Sequence, residues 1–126
     1  MNPQDPFTIS TDVQTGSLTA VLRGLWDMQT ARDYGEELAR AAGTVERRSR
    51  KSTWVIDLRA LDVQPQDVAA YMTGIIADLT SRFDAAVAVV SPRALVSMQS
   101  RRIAQRPDHR FFATLDEANA WLQHQR

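Results

Sequence analysis

The side chains best suited to chemistry in this chain stand where short apolar runs give way to charged turns. Asp57, Arg59 and Asp62 follow the run Trp54-Val55-Ile56, and Ser91 and Arg93 follow the run Ala85-Ala86-Val87-Ala88-Val89-Val90. Two guanidinium groups, Arg59 and Arg93, can clamp a carboxylate or phosphate, and a helix capped by Ser91 offers free amide N–H groups to the same anion. The competing reading is local: Asp57 pairs with Arg59 or Arg93, and the ion pair only orders the turns. Other chemistry finds less support. The chain has 2 histidines, His109 and His124, and no cysteine. Neither histidine belongs to a His-Glu-x-x-His pair, and no serine stands in a Gly-x-Ser-x-Gly elbow. Both histidines are expected to be structural or exposed. Asp62 and Asp67 straddle a helix start, where a carboxylate suits the dipole better than it suits acid–base work. No catalytic set, metal site or cofactor is implied, and the chain is expected to be a non-enzyme.

Turns of this kind act together only if strand ends share a rim. The two apolar runs lack the polar alternation of half-exposed strands, which marks strands buried on both faces of a mostly parallel sheet. Phe7, Ile9, Thr11 and Val13 alternate with polar residues, as do Leu18, Ala20 and Leu22 after the turn Gln14-Thr15-Gly16-Ser17. This pattern predicts an antiparallel hairpin at a sheet edge. A helix capped by Thr30 with Asp33 follows, with Tyr34, Leu38, Ala41 and Val45 on one face. After the central strand and the loop Leu61-Asp62-Val63-Gln64, Pro65 opens a second helix with the face Val68, Met72, Ile75, Ile76, Leu79 and Phe83. Ser91 and Pro92 open a third, with Leu95, Met98 and Ile103 inward. A short strand from His109 to Ala113 then precedes the capping box of Thr114 and Glu117, and Ala118, Trp121 and Leu122 dock the final helix. The expected class is α/β, in the order ββαβαβαβα, with a five-stranded mixed sheet and four helices. Right-handed crossovers would bring residues 24–27, 57–62 and 91–93 to one rim.

Composition narrows the function classes. A chain of 126 residues reads as one domain, residues 7–126, behind a polar, proline-containing lead-in over residues 1–6. Hydrophobic residues make up 44% and charged residues 24%, so a real core is within reach. The formal net charge of +0 argues against field-driven nucleic-acid binding. Arg47, Arg48, Arg50 and Lys51, with Arg101, Arg102 and Arg106, are read as solvated helix ends, because no aromatic residues interleave to stack on bases. No apolar run approaches the roughly 20 residues of a membrane span, and the start has no basic-then-apolar leader, so a cytoplasmic domain is expected. Trp26 and Met28, outside the predicted elements, are the expected exposed apolar pair and the candidate interface. The open edge of the hairpin allows a homodimer.

The element order, with Asp57-Leu58 ending the central strand and a helix soon after, resembles the STAS domain family. The ending Phe111-Phe112-Ala113-Thr114-Leu115-Asp116-Glu117-Ala118-Asn119-Ala120-Trp121-Leu122 is similar to the family's SpoIIAA-like branch. The resemblance covers residues 7–122. It implies a regulatory or interaction module with a protein partner. Antagonists of that family carry a phosphorylatable serine at the start of the helix after the central strand. Here the segment reads Arg59-Ala60-Leu61-Asp62-Val63-Gln64-Pro65-Gln66, with no serine or threonine, so no phosphosite is carried over. The alternative is a carrier-like domain for a lipid or other small anionic or apolar molecule, its cavity flanked by the helix of Val68, Tyr71, Met72 and Leu79.

Overall fold

In the computed structural model, residues 5–47, 50–91 and 109–125 are described. β1 (Phe7–Asp12) and β2 (Ser17–Gly24) form the expected hairpin, antiparallel with Phe7 opposite Leu22. Asp12 Oδ1 accepts from the amides of Gln14 and Thr15 at 3.0 and 3.4 Å, and Gly16 takes a φ of 66°, which only glycine adopts at little cost. Val13 falls in this turn and is exposed rather than continuing the strand.

α1 (Met28–Thr44) starts earlier than expected. Asp27 is its N-cap, its Oδ1 accepting from the Thr30 amide at 2.8 Å, and Thr30 lies in the first turn. Both residues are competent caps. The end of β2 decides between them, because it brings Asp27 to the helix start first. Asp33 instead accepts from the Gln29 side chain at 2.9 Å. The face of α1 is as its period predicts: Tyr34, Leu38 and Ala41 are buried, as is Val45 just beyond.

β3 (Ser52–Leu61) is longer than the apolar run and takes in Leu61. α2 (Gln66–Arg82) and β4 (Ala85–Val90) follow, then β5 (His109–Phe112) and α3 (Leu115–Gln123). The helix expected after Ser91 lies outside the described residues, among which there are three helices, not four. The sheet order is β1-β2-β3-β4-β5, and every pairing after the hairpin is parallel. One face of the sheet, with Leu18, Ala20, Leu22, Trp54, Ile56 and Val87, packs against α1 and α2. The other face presents Val55, Ala86, Ala88 and Val90 to Ala118 and Leu122 of α3. Alternation in β3 thus serves two cores at once, which is why the run shows no polar partners. The β2–β3 register slips between Val21–Asp57 and Arg23–Ala60. A slip of one residue reverses the faces, so Leu58 and Leu61, three apart, both reach the helix side.

Thr114 caps the last helix as expected, with the Glu117 carboxylate meeting its hydroxyl. Thr114 Oγ1 accepts from the Glu117 amide at 3.2 Å and lies 2.9 Å from its carboxylate. Trp121 is half-buried against Phe112, ring centroids 5.7 Å apart, with the Arg110 guanidinium 5.7 Å from its ring.

Candidate functional site

Parallel pairing sets the carboxyl ends of β2, β3 and β4 on one rim, and hydrogen bonds lock the first two loops together. The Asp62 amide donates to the Gly24 carbonyl at 3.1 Å. Gln64 then bridges the gap with its whole side chain. Its Nε2 donates to the carbonyls of Gly24 and Asp62, both at 2.8 Å, and its Oε1 accepts from the Trp26 amide at 2.8 Å. Loop ends that would otherwise leave backbone groups to water are thereby held as one unit. Gln64 had no distinguishing signal in the sequence. A lone amide in a loop becomes informative only once the neighbouring loop is known.

This clamp sorts the apolar residues in an unexpected way. Trp26 is not exposed; it is 3% accessible. Its ring stacks edge-on with Tyr34 at 5.3 Å and tilts against Phe7 at 5.8 Å, and its Nε1 donates to the Arg23 carbonyl at 2.8 Å. Met28 is the first residue of α1, half-buried against the same core. An indole with its N–H satisfied by the backbone gains by burial, so the loop turns Trp26 inward and sends its neighbour out. The exposed residues are Leu25, 66% accessible, and Val63, 77% accessible, on the two loops that Gln64 joins.

Asp57 and Arg59 realise the local pairing. Asp57, 6% accessible, accepts from Arg59 Nε at 2.9 Å, Nη2 at 2.8 Å and the Arg59 amide at 3.0 Å. Burial alone would push this carboxyl up. The Arg59 side chain and amide outweigh it, with the field of Arg23 adding to them, and hold it below the usual carboxylate range. The same pairing raises Arg59. Arg59 turns Nε and Nη2 to Asp57 while its side chain stays half exposed. Asp62 is exposed on the rim, and Ser91 is buried at the end of β4, its amide donating to the Phe112 carbonyl at 2.9 Å. Arg93, the other half of the expected anion clamp, lies outside the described residues.

Elsewhere the chemistry is sparse. His109 is buried at the amino end of β5, away from the rim, and His124 is exposed at the end of α3. Among the described residues no cluster of three or more His, Asp or Glu side chains suits a metal ion. Arg47 reaches back to the Gln14 carbonyl at 3.0 Å and Lys51 pairs with Asp84 at 2.9 Å, while Arg48 and residues 101–106 lie outside the description. Val68 and Leu79 fill the space between α2 and the sheet. The concavity beside α2 instead faces outward, an open groove of about 280 Å³ against α1 that includes Arg32, Gly35, Ala39, Tyr71, Ile75 and Arg82. Among the described residues no helix is long and apolar enough to cross a membrane.

Layer order, sheet polarity and a closing helix on the second face define an α/β fold with helices on both sides of a mixed sheet. The fold is SpoIIAA-like. A DUF3478-family protein of unknown character with a SpoIIAA-like fold, from Shewanella loihica PV-4, superposes with a TM-score of 0.69 at 17% identity, over 97% of this chain and 98% of that one. The anti-sigma factor antagonist SpoIIAA in its unphosphorylated form gives 0.63 at 15% identity, over 93% and 97%. An anti-sigma factor antagonist from Mycobacterium paratuberculosis gives 0.65 at 17%, over 98% and 99%. No protein-family model and no curated protein matches the chain.

Proposed function

We propose that the chain is a non-enzymatic regulatory module of the cytoplasm that docks a protein partner on the carboxyl rim of its sheet. The observation that carries this reading is the pair Leu25 and Val63, large apolar side chains held in solvent on two loops that Gln64 fixes in place. Rigid display of apolar surface lowers the ordering cost of association. Two proteins of similar fold are anti-sigma factor antagonists, which supports a role in partner binding. The start of α2 carries Pro65, Gln66 and Asp67 with no hydroxyl, so a phosphorylation switch there has no acceptor. Asp67 gives the same helix end a permanent negative charge. Asp57 and Arg59 act in this reading by stiffening β3 beneath the rim. A small-molecule carrier is the weaker reading, because its cavity between α2 and the sheet is occupied by Val68 and Leu79.

The test is co-purification from the native host with the tagged chain, its Leu25→Ser/Val63→Ser variant, and Val13→Ser as an exposed apolar control in the hairpin turn. A partner held by the parent and the control but lost from the rim variant is the expected result. Equal recovery with the rim variant overturns the reading. The size of the purified chain, by light scattering, separately reports pairing of two copies through the outer edge of β1.

A further inference from the structure

The two clamped loops combine exposed apolar side chains with acidic ones. Residues 24–28 and 61–67 contain Asp27, Asp62 and Asp67 and neither lysine nor arginine. All three carboxylates are exposed. Asp27 stands two positions after Leu25, Asp62 directly before Val63, and Asp67 in the first turn of α2. The two arginines described on the strands beside these loops have other partners. Arg23 donates to the Asp5 carbonyl at 3.2 Å on the β1 side, and Arg59 is spent on Asp57. The Thr30 amide and hydroxyl hold the Asp27 carboxyl below its ordinary range, so it is ionised throughout the physiological range. On these two loops the apolar pair is accompanied by one sign of charge only, on a chain whose formal net charge is +0.

From this juxtaposition we infer that the rim receives a cationic amphipathic segment of a partner protein, with Lys or Arg flanking aliphatic or aromatic side chains. This inference rests on the docking reading above and adds the partner's chemistry. Leu25 and Val63 supply the apolar contact, and the three aspartates steer and orient the basic flanks. The same carboxylates repel nucleic-acid phosphates and anionic lipid headgroups. Two exposed side chains make a small contact, so the complex is a transient one, and exposed charges make it sensitive to salt.

The experiment uses the full chain, 15N-labelled, titrated with three synthetic 18-residue peptides: an amphipathic Leu/Lys helix, its Leu/Glu counterpart, and a Ser/Lys version without apolar residues. The Leu/Lys peptide is expected to shift the amides of Leu25 and Val63 and their neighbours, with affinity falling about tenfold between 50 and 500 mM NaCl. Asp62→Asn/Asp67→Asn, shown by circular dichroism to be folded at the titration temperature, is expected to weaken it at least about fivefold. The inference is overturned if the Leu/Lys peptide binds away from the rim or not at all, if the Leu/Glu or Ser/Lys peptide binds as well, or if the Asn variant binds like the parent. Equal rim binding by the Leu/Glu peptide removes the charge preference and leaves docking intact. Docking itself falls only with the co-purification result.

Discussion

Removing the Gln64 side chain tests whether the rim loops are held by that clamp. Gln64→Ala deletes three hydrogen bonds of 2.8 Å and leaves the Trp26 amide and the Gly24 carbonyl to find new partners. A net hydrogen bond is worth about 1 kcal/mol, but this side chain is only half-buried and water replaces part of the loss. The expected cost is about 1–2 kcal/mol, seen as a lower urea midpoint at unchanged m-value and a melting temperature down by about 4–8 °C. Gln64→Glu sharpens the test. Its carboxylate still accepts from the Trp26 amide but turns an oxygen toward two carbonyls that Nε2 formerly satisfied. That placement raises its folded pKa above the unfolded value of about 4.3. Stability is then present at low pH and lost as pH rises through the raised value, so Gln64→Glu should close on the parent as pH falls from 7 toward 4. Hydrogen exchange at the Trp26 amide should quicken in Gln64→Ala, which loses that acceptor. If Gln64→Ala stays within about 0.3 kcal/mol of the parent, or Gln64→Glu matches it at neutral pH, another contact holds the loops.

Four further outcomes are expected. Trp26→Ala, which empties the aromatic cluster with Phe7 and Tyr34, should cost about 3–5 kcal/mol in denaturant unfolding, whereas Leu25→Ser should stay within about 0.5 kcal/mol; equal costs would place both in the core. In the parent, the depressed Asp57 pKa contributes stability that is present above about pH 4 and lost as pH falls through the folded value. Arg59→Leu leaves burial as the main influence, so a 13C titration should find the Asp57 carboxyl raised; an unmoved value would show that the arginine is not what holds it down. Gly74→Ala, in α2 with open space where its Cβ would stand, should stabilise by about 0.5–1 kcal/mol, while Gly16→Ala, at a φ of 66° and against the Arg47 side chain, should destabilise by about 1–2 kcal/mol in the same thermal melts.

The sheet was legible because its signals are local and mutually consistent. Doubly buried runs at residues 54–56 and 85–90, alternation in the hairpin and the Thr114 box each specify an element, and strand polarity then fixes the rim. The Asp57–Arg59 pairing was legible because two residues on one strand can meet without any partner from elsewhere, whereas the clamp with Arg93 falls outside the described residues. The errors cluster in the segment between β2 and α1. It has no period, so nothing local says which of Leu25 and Trp26 turns inward. The answer depends on Phe7 and Tyr34 as ring partners and on Gln64, all distant in sequence. The cap moved from Thr30 to Asp27 for a related reason, since two competent oxygens competed and the end of a strand chose. The slip in β3 left no trace in composition at all.

The plain strand order, each strand beside the one made before it, bears on how the chain emerges from the ribosome. Among the described residues no ladder reaches further along the chain than the one joining Gly24 to Leu61. The hairpin and α1 can therefore be waiting as a template when β3 leaves the exit tunnel, and β4 and β5 extend an edge that already exists. No strand has to be held open for a later insertion between two others. The growing edge is the exposed side of the newest strand, so β4 stays open to misassociation until β5 pairs with it and α3 packs on Ala86, Ala88 and Val90.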